Sequence, residues 1–224
     1  MTVVAMSRQI GSGAAEIANA LCEKMGLRVF DKTLMMRVAH EVGLTESQIV
    51  DYSEDHYELR GFVDALFRRR RTVAEVSTRI RTSRGGDAVD TQVLDEPRAI
   101  DLIRATMHAA YERDNILIIG RGGQAILEDK PGVLMIRVVA PIEARIARVR
   151  GREQCTAPQA RRLVMEHDRA TQQYLRTFHH IDVDDPSLYH LTLNTGKLGM
   201  NECIALIENT AEMIHRTKVE TKAA

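Results

Sequence analysis

The stretch Ser7-Arg8-Gln9-Ile10-Gly11-Ser12-Gly13-Ala14-Ala15 sets two glycines, two hydroxyls and a guanidinium between an apolar run, Val3–Met6, and a segment where Ile17, Ala18, Leu21, Cys22 and Met25 recur at helical spacing. A strand, a glycine-bearing loop and a helix in that order can cradle a phosphate. Loop N–H groups converge on its oxygens and the helix dipole favours its charge. The pattern G-x-x-x-x-G-K-[ST] ends such a loop with a lysine and a hydroxyl. Aligned on Gly13, this chain has Arg8 at the first glycine, Ala14 at the lysine and Ala15 at the hydroxyl. Gly11, Ser12, Gly13, Ala14 and Ala15 are thus expected to hold phosphate through the backbone. Two other readings stay open: a dinucleotide loop, with Asp31 as the ribose acid and Glu16 at its third small-residue position, and a tight turn with no ligand.

Phosphoryl transfer needs further cations, because charge spreads over the equatorial oxygens of the moving group. Arg121 follows the apolar run Asn115–Ile119 and stands in Gly120-Arg121-Gly122-Gly123. Arg145, Arg148 and Arg152 are spaced to share one helix face, with Ile142, Ile146 and Val149 expected on the buried side. Arg161, Arg162 and Arg169 follow across a short loop, so two arginine-bearing helices suit a lid; a solvated hairpin fits equally. Arg68–Arg71 reads as a solvated helix face. Asp31 could orient a substrate or cap a helix, and Asp168 could hold a lid arginine. His179 and His180 adjoin Asp182, Asp184 and Asp185 without any fixed ligand spacing, so a solvated loop is expected there and no residue is assigned to a metal.

Equal numbers of basic and acidic residues, 31 each, leave no global field to recruit nucleic acid or a membrane. Three cysteines far apart, with no C-x-x-C pair, fit free thiols in a reducing compartment. No basic-plus-apolar leader and no 18-residue apolar stretch occur, so a soluble cytoplasmic protein is expected, monomeric or homo-oligomeric.

Five strands are expected to position these residues: one over the first apolar run, then Arg28–Phe30, Asn115–Ile119, Val133–Val139 and Tyr189–Leu193. Between them the spacing predicts helices at Lys32–Val42, after the capping box Thr45-x-x-Gln48, from about His56 to Arg84, after Pro97, at Ile142–Gly151, about Pro158–Phe178 and Asn201–Arg216. Ser83–Asp95 reads as a loop around Gly85-Gly86, and Thr217–Ala224 as a frayed tail. The pattern is that of an α/β protein with a parallel, doubly wound sheet. One domain over 1–216 is expected, with a helical insertion at about 45–113, a lid at about 145–178 and a tail at 217–224.

Ser7-Arg8-x-x-Gly11-Ser12-Gly13, Phe30-Asp31, Gly120-Arg121-Gly122, the Arg145/Arg148/Arg152 helix and Asp185-Pro186-x-x-Tyr189 leading to Asn194-Thr195-Gly196 together resemble the cytidylate kinase-like family, a branch of the P-loop nucleoside monophosphate kinases. The resemblance implies a P-loop NTPase-type, adenylate-kinase-like five-stranded core, an acceptor-binding insertion, an arginine lid, and transfer of a phosphoryl group from ATP to CMP or dCMP with Mg²⁺. By position, Gly11–Gly13 would hold donor phosphates and Asp31, Arg121 and Gly122 would face the acceptor. Arg148, Arg152 and Arg169 would act from the lid, and Arg8 would stand in for the lysine charge. Ala14, and Thr171 three residues after Asp168 where those kinases carry an arginine, depart from the pattern. They leave a second reading, a nucleotide-sensing or scaffold protein on the same fold.

Overall fold

The computed structural model describes residues 2–30, 74–81, 87–94 and 96–223. Its elements are β1 (Val3–Arg8), α1 (Ala14–Met25), β2 (Arg28–Val29), β3 (Ala74–Arg81), β4 (Asp87–Leu94), α2 (Glu96–Tyr111), β5 (Ile116–Ile119), α3 (Gly123–Ile126), β6 (Val133–Val139), α4 (Ile142–Glu153), α5 (Ala157–His179), β7 (Leu191–Asn194) and α6 (Met200–Ala223). The chain divides into two compact units, residues 1–30 with 111–224 and residues 31–110.

The first unit is built on a five-stranded sheet in the order β2-β5-β1-β6-β7, every pairing parallel. Its central strands β1, β5 and β6 are mostly apolar, as expected of strands covered on both faces. β1 lies at the centre, in register with β6 from Val3↔Val133 to Arg8↔Val138. On one face Val4, Met6, Leu134, Ile136 and Val138 pack with Ile17, Ala18 and Leu21 of α1 and Cys203, Ile204, Ile207 and Ala211 of α6. Full burial of each large apolar side chain is worth roughly 1.5–3 kcal/mol, so this face anchors β1 and the start of α1 rigidly. A dinucleotide fold would place its second strand beside its first. Here β5 intervenes between β2 and β1, which removes that reading. From β1 the chain crosses to one side of the sheet and from β6 to the other, so a crevice opens outside the carboxyl ends of these neighbours.

In the second unit β3 and β4 form an antiparallel pair from Ala74↔Leu94 to Arg81↔Asp87. This corrects two expectations, the helix reaching Arg84 and the loop over Ser83–Asp95. Val76, Thr78 and Ile80, then Val89, Thr91 and Val93, alternate with polar residues at the two-residue period of strands. The buried face of α2 at Ile100, Ile103, Met107 and Ala110 is as expected. Helix Lys32–Val42, the Thr45/Gln48 box and Arg68–Arg71 lie outside the described residues, as does Asp31. At the other end α6 runs through Ala223 instead of stopping at Arg216, since neither glycine nor proline interrupts it.

Candidate functional site

The first loop at the sheet's carboxyl edge is fastened at its base. The Gln9 amide donates to the Val138 carbonyl at 3.0 Å, and the Gln9 side-chain oxygen accepts from the Ala140 amide at 3.2 Å, binding the loop to the end of β6. The Ser12 amide closes the turn on the Gln9 carbonyl at 3.1 Å. Gly11 adopts φ +74°, and a Cβ there would meet the Arg145 carbonyl oxygen at 2.7 Å, so only glycine lets the loop lie against α4. No side chain caps α1, and Gly13–Glu16, which carry its unbonded first-turn amides, line a cleft of about 120 Å³. That is room enough for a phosphate group. Arg8, Arg148 and Arg152 border it. Backbone donors at a helix start, ringed by guanidinium groups, make an anion site.

Arg148 is knitted into the loop. Its Nη1 donates to the Gly11 carbonyl at 3.1 Å and to Thr195 Oγ1 at 2.9 Å, its Nη2 donates to the Thr195 carbonyl at 3.2 Å, and Thr195 Oγ1 donates to the Ser12 carbonyl at 2.6 Å. Arg152 is exposed, with its Nε on Glu153 at 2.8 Å. Arg169 is exposed on α5 and is not among the residues lining the cleft. Arg145 corrects the three-arginine face: it is only 4% exposed, whereas Ile142 is 37% exposed. The helix turns Arg145 between the apolar and solvent sides, and Asp168 of α5 draws it inward through two hydrogen bonds of 2.8 and 2.6 Å. Asp168 thus holds an arginine of the α4–α5 hairpin. Ile146 and Val149 of α4 pack with Ala160 and Val164 of α5, which completes the hairpin.

A second loop leaves the same edge from the adjacent strand, its Gly120 amide bonded to the Met6 carbonyl at 2.9 Å. Gly120, Arg121 and Gly122 have φ of 68°, 56° and 74°, an uncommon left-handed run for a chain that includes an arginine. Arg121 is buried. Its Nη1 donates to the Phe30 carbonyl at 3.2 Å and its guanidinium carbon lies 5.7 Å from the Phe30 ring centre. Gly122 accommodates the His179 imidazole, which a Cβ would meet at 2.5 Å. His179 Nε2 in turn stands 3.4 Å from the Tyr174 hydroxyl.

The acidic segment after α5 is more than a solvated loop. Asp182 pairs with Arg176, and the Asp184 amide and Arg176 lower its carboxyl below the ordinary range. Asp184 takes Arg137 Nη2 at 2.6 Å. Arg137, unassigned by its spacing, is buried on β6, with Nη1 donating to Ser7 Oγ at 3.0 Å and the guanidinium 5.8 Å from the Tyr189 ring centre. Burial pushes the Tyr189 hydroxyl up. The available signal was a lone cation inside the apolar run Val133–Val139.

The model of the cytidylate kinase-like family matches residues 3–197, from β1 through the loop that carries Thr195. The chain belongs to that family. It is similar to a cytidylate kinase of Desulfurococcus amylolyticus, 28% identical over 53% of this chain and 64% of that one, just under two thirds of the relative's length. A cytidylate kinase of Methanopyrus kandleri is 25% identical over 88% of this chain and 86% of its own. Among solved structures, an uncharacterized protein from Eubacterium ventriosum superposes with a TM-score of 0.62 at 18% identity, covering 95% of this chain and 98% of that one, which shows a shared fold. The matched span includes the glycine loop and the arginines that border the cleft.

Ala15 lacks a hydroxyl, and among the described residues Glu16 is the one carboxylate lining the cleft and no three His, Cys, Asp or Glu side chains converge. No described helix is long and apolar enough to cross a membrane.

Proposed function

We propose that the protein is a nucleoside monophosphate kinase that transfers the γ-phosphoryl group of ATP to CMP or dCMP. A bond forms between the γ-phosphorus and an acceptor phosphate oxygen while the bond to the ADP oxygen breaks. The observation that carries this reading is the uncapped start of α1 opening into a cleft ringed by Arg8, Arg148 and Arg152.

Amides of the Gly11–Ala15 loop hold donor phosphate, and the guanidinium groups oppose the charge that grows on the equatorial oxygens. Arg8 and Arg148 together supply the charge that a lysine at position 14 would bring, while Arg152 and Arg169 act from the hairpin. Arg121, emerging with Gly122 from the neighbouring strand, binds the acceptor phosphate, with Asp31 orienting the nucleoside. Because Ala15 offers no hydroxyl, Mg²⁺ would enter on the donor phosphates and rest chiefly on them and on water. The reaction suits a cytoplasmic setting.

Ala14 and Ala15 favour a second reading, nucleotide sensing without turnover. A coupled assay over all nucleoside monophosphates, with ATP and GTP as donors, separates the two. Turnover of CMP or dCMP well above the others is expected. Nucleotide binding with no turnover of any acceptor establishes the sensor instead.

A further inference from the structure

Thr195 has no role in the scheme above, yet it sits where the phosphate loop is tied down. An anion can rest in a loop only if the loop's carbonyl oxygens are turned away from it and satisfied elsewhere. Two do this through one side chain each. The Gly11 carbonyl accepts from Arg148 Nη1 at 3.1 Å, and the Ser12 carbonyl accepts from Thr195 Oγ1 at 2.6 Å. The same threonine hydroxyl accepts from Arg148 Nη1 at 2.9 Å, and its own carbonyl accepts from Nη2 at 3.2 Å. The guanidinium therefore polarises the hydroxyl that holds Ser12. Of its five N–H donors, three are committed to the protein, leaving Nε–H and one Nη2–H beside a cleft that Arg148 lines. Thr195 is buried at 9% exposure, so its hydroxyl is turned to the protein and not to solvent.

We propose that Thr195 is a positioning residue that lets this loop bind nucleotide phosphate without a lysine. It locks the Ser12 carbonyl outward and the Arg148 guanidinium in place, so that loop amides and the two remaining guanidinium donors serve one anion. The inference rests on the kinase reading of the cleft and identifies how its donor side is assembled.

The test is calorimetric titration of the full chain with ATP and with inorganic pyrophosphate, alongside thermal melting. Thr195→Val, close in shape and lacking the hydroxyl, is expected to weaken both ligands at least tenfold. Thr195→Ser should return affinity to within about threefold of wild type, a rescue that packing alone does not predict. In turnover, Thr195→Val should raise KM for ATP and leave KM for the acceptor unchanged. Arg148→Lys, an exposed change that keeps the charge but not the fork, should weaken ATP by a similar factor, and Thr195→Val added to it should cost less than it does alone. Wild-type affinity in folded Thr195→Val, no rescue by serine, or additive losses in the double variant overturns the proposal and leaves the kinase reading standing. If Thr195→Val does not fold, wild-type affinity in Arg148→Lys overturns it. A wild-type chain that binds neither ATP nor pyrophosphate overturns both.

Discussion

Arg145 and Asp168 meet through two parallel hydrogen bonds, 2.8 and 2.6 Å long, which pin α4 to α5 beneath the phosphate loop. The Arg145 carbonyl lies directly under Gly11, so the ion pair sets the floor on which the loop rests. Removing Asp168 would leave a guanidinium that is 4% exposed without its counter-charge. Asp168→Ala is expected to cost on the order of 3 kcal/mol, the low end for a broken buried pair because the aspartate is itself partly exposed. Thermal denaturation should show a melting point lower by roughly 6–12 °C. A shift under 2 °C would mean that the apolar contacts of the hairpin suffice.

Gly11→Ala probes the same contact from above. The added methyl would meet a backbone oxygen at 2.7 Å and the residue would be held at φ +74°. A loss of about 1–3 kcal/mol is expected. ATP affinity should fall further than stability does, because the loop must lift from α4. Equal ATP affinity in a folded Gly11→Ala chain would separate this loop from donor binding.

Arg121→Gly tests the acceptor side with little backbone penalty. Glycine accepts the φ of 56° that arginine adopts at a cost, which offsets part of the lost packing on Phe30. The variant should fold, keep ATP affinity and lose at least tenfold in affinity for CMP by titration. Unchanged CMP binding would assign Arg121 to holding Phe30 alone.

Ala14→Lys addresses the missing charge. Helix propensity alone tolerates it, but Ala14 is 3% exposed and packs with Ile17 and Leu21, so the lysine stem must leave along the cleft. A modest stability loss of about 1 kcal/mol is expected, together with tighter ATP binding. Faster transfer would identify a kinase limited by charge. Tighter binding without transfer identifies the sensing protein, and no binding before or after the change removes the phosphate cradle.

Much of the architecture was legible along the chain because parallel strands buried on both faces must be continuously apolar. β1, β5 and β6 announce themselves in Val3–Met6, Ile116–Ile119 and Val133–Val139, and Gly11 and Gly13 mark a loop that needs left-handed backbone. The β3–β4 pair was misread because the helical spacing before it was carried on to Arg84 and Gly85-Gly86 was taken to mark a loop through Asp95, whereas the antiparallel pairing of Ala74–Arg81 with Asp87–Leu94 follows the two-residue alternation of both segments.

The sequence by itself determined the five strands of the parallel sheet and the helices that follow them, the glycine loop and its lack of a lysine, since these depend on neighbouring residues and local periodicity. Tertiary structure alone decided which arginines serve which purpose. Arg145 and Arg148 are three positions apart on one helix, yet one is drawn inward by Asp168, 23 residues on, and the other is tied to Thr195, 47 residues on. Arg137 is likewise claimed by Ser7 and Asp184. A guanidinium goes where opposite charge and carbonyl oxygens converge, and in this protein they converge from distant parts of the chain.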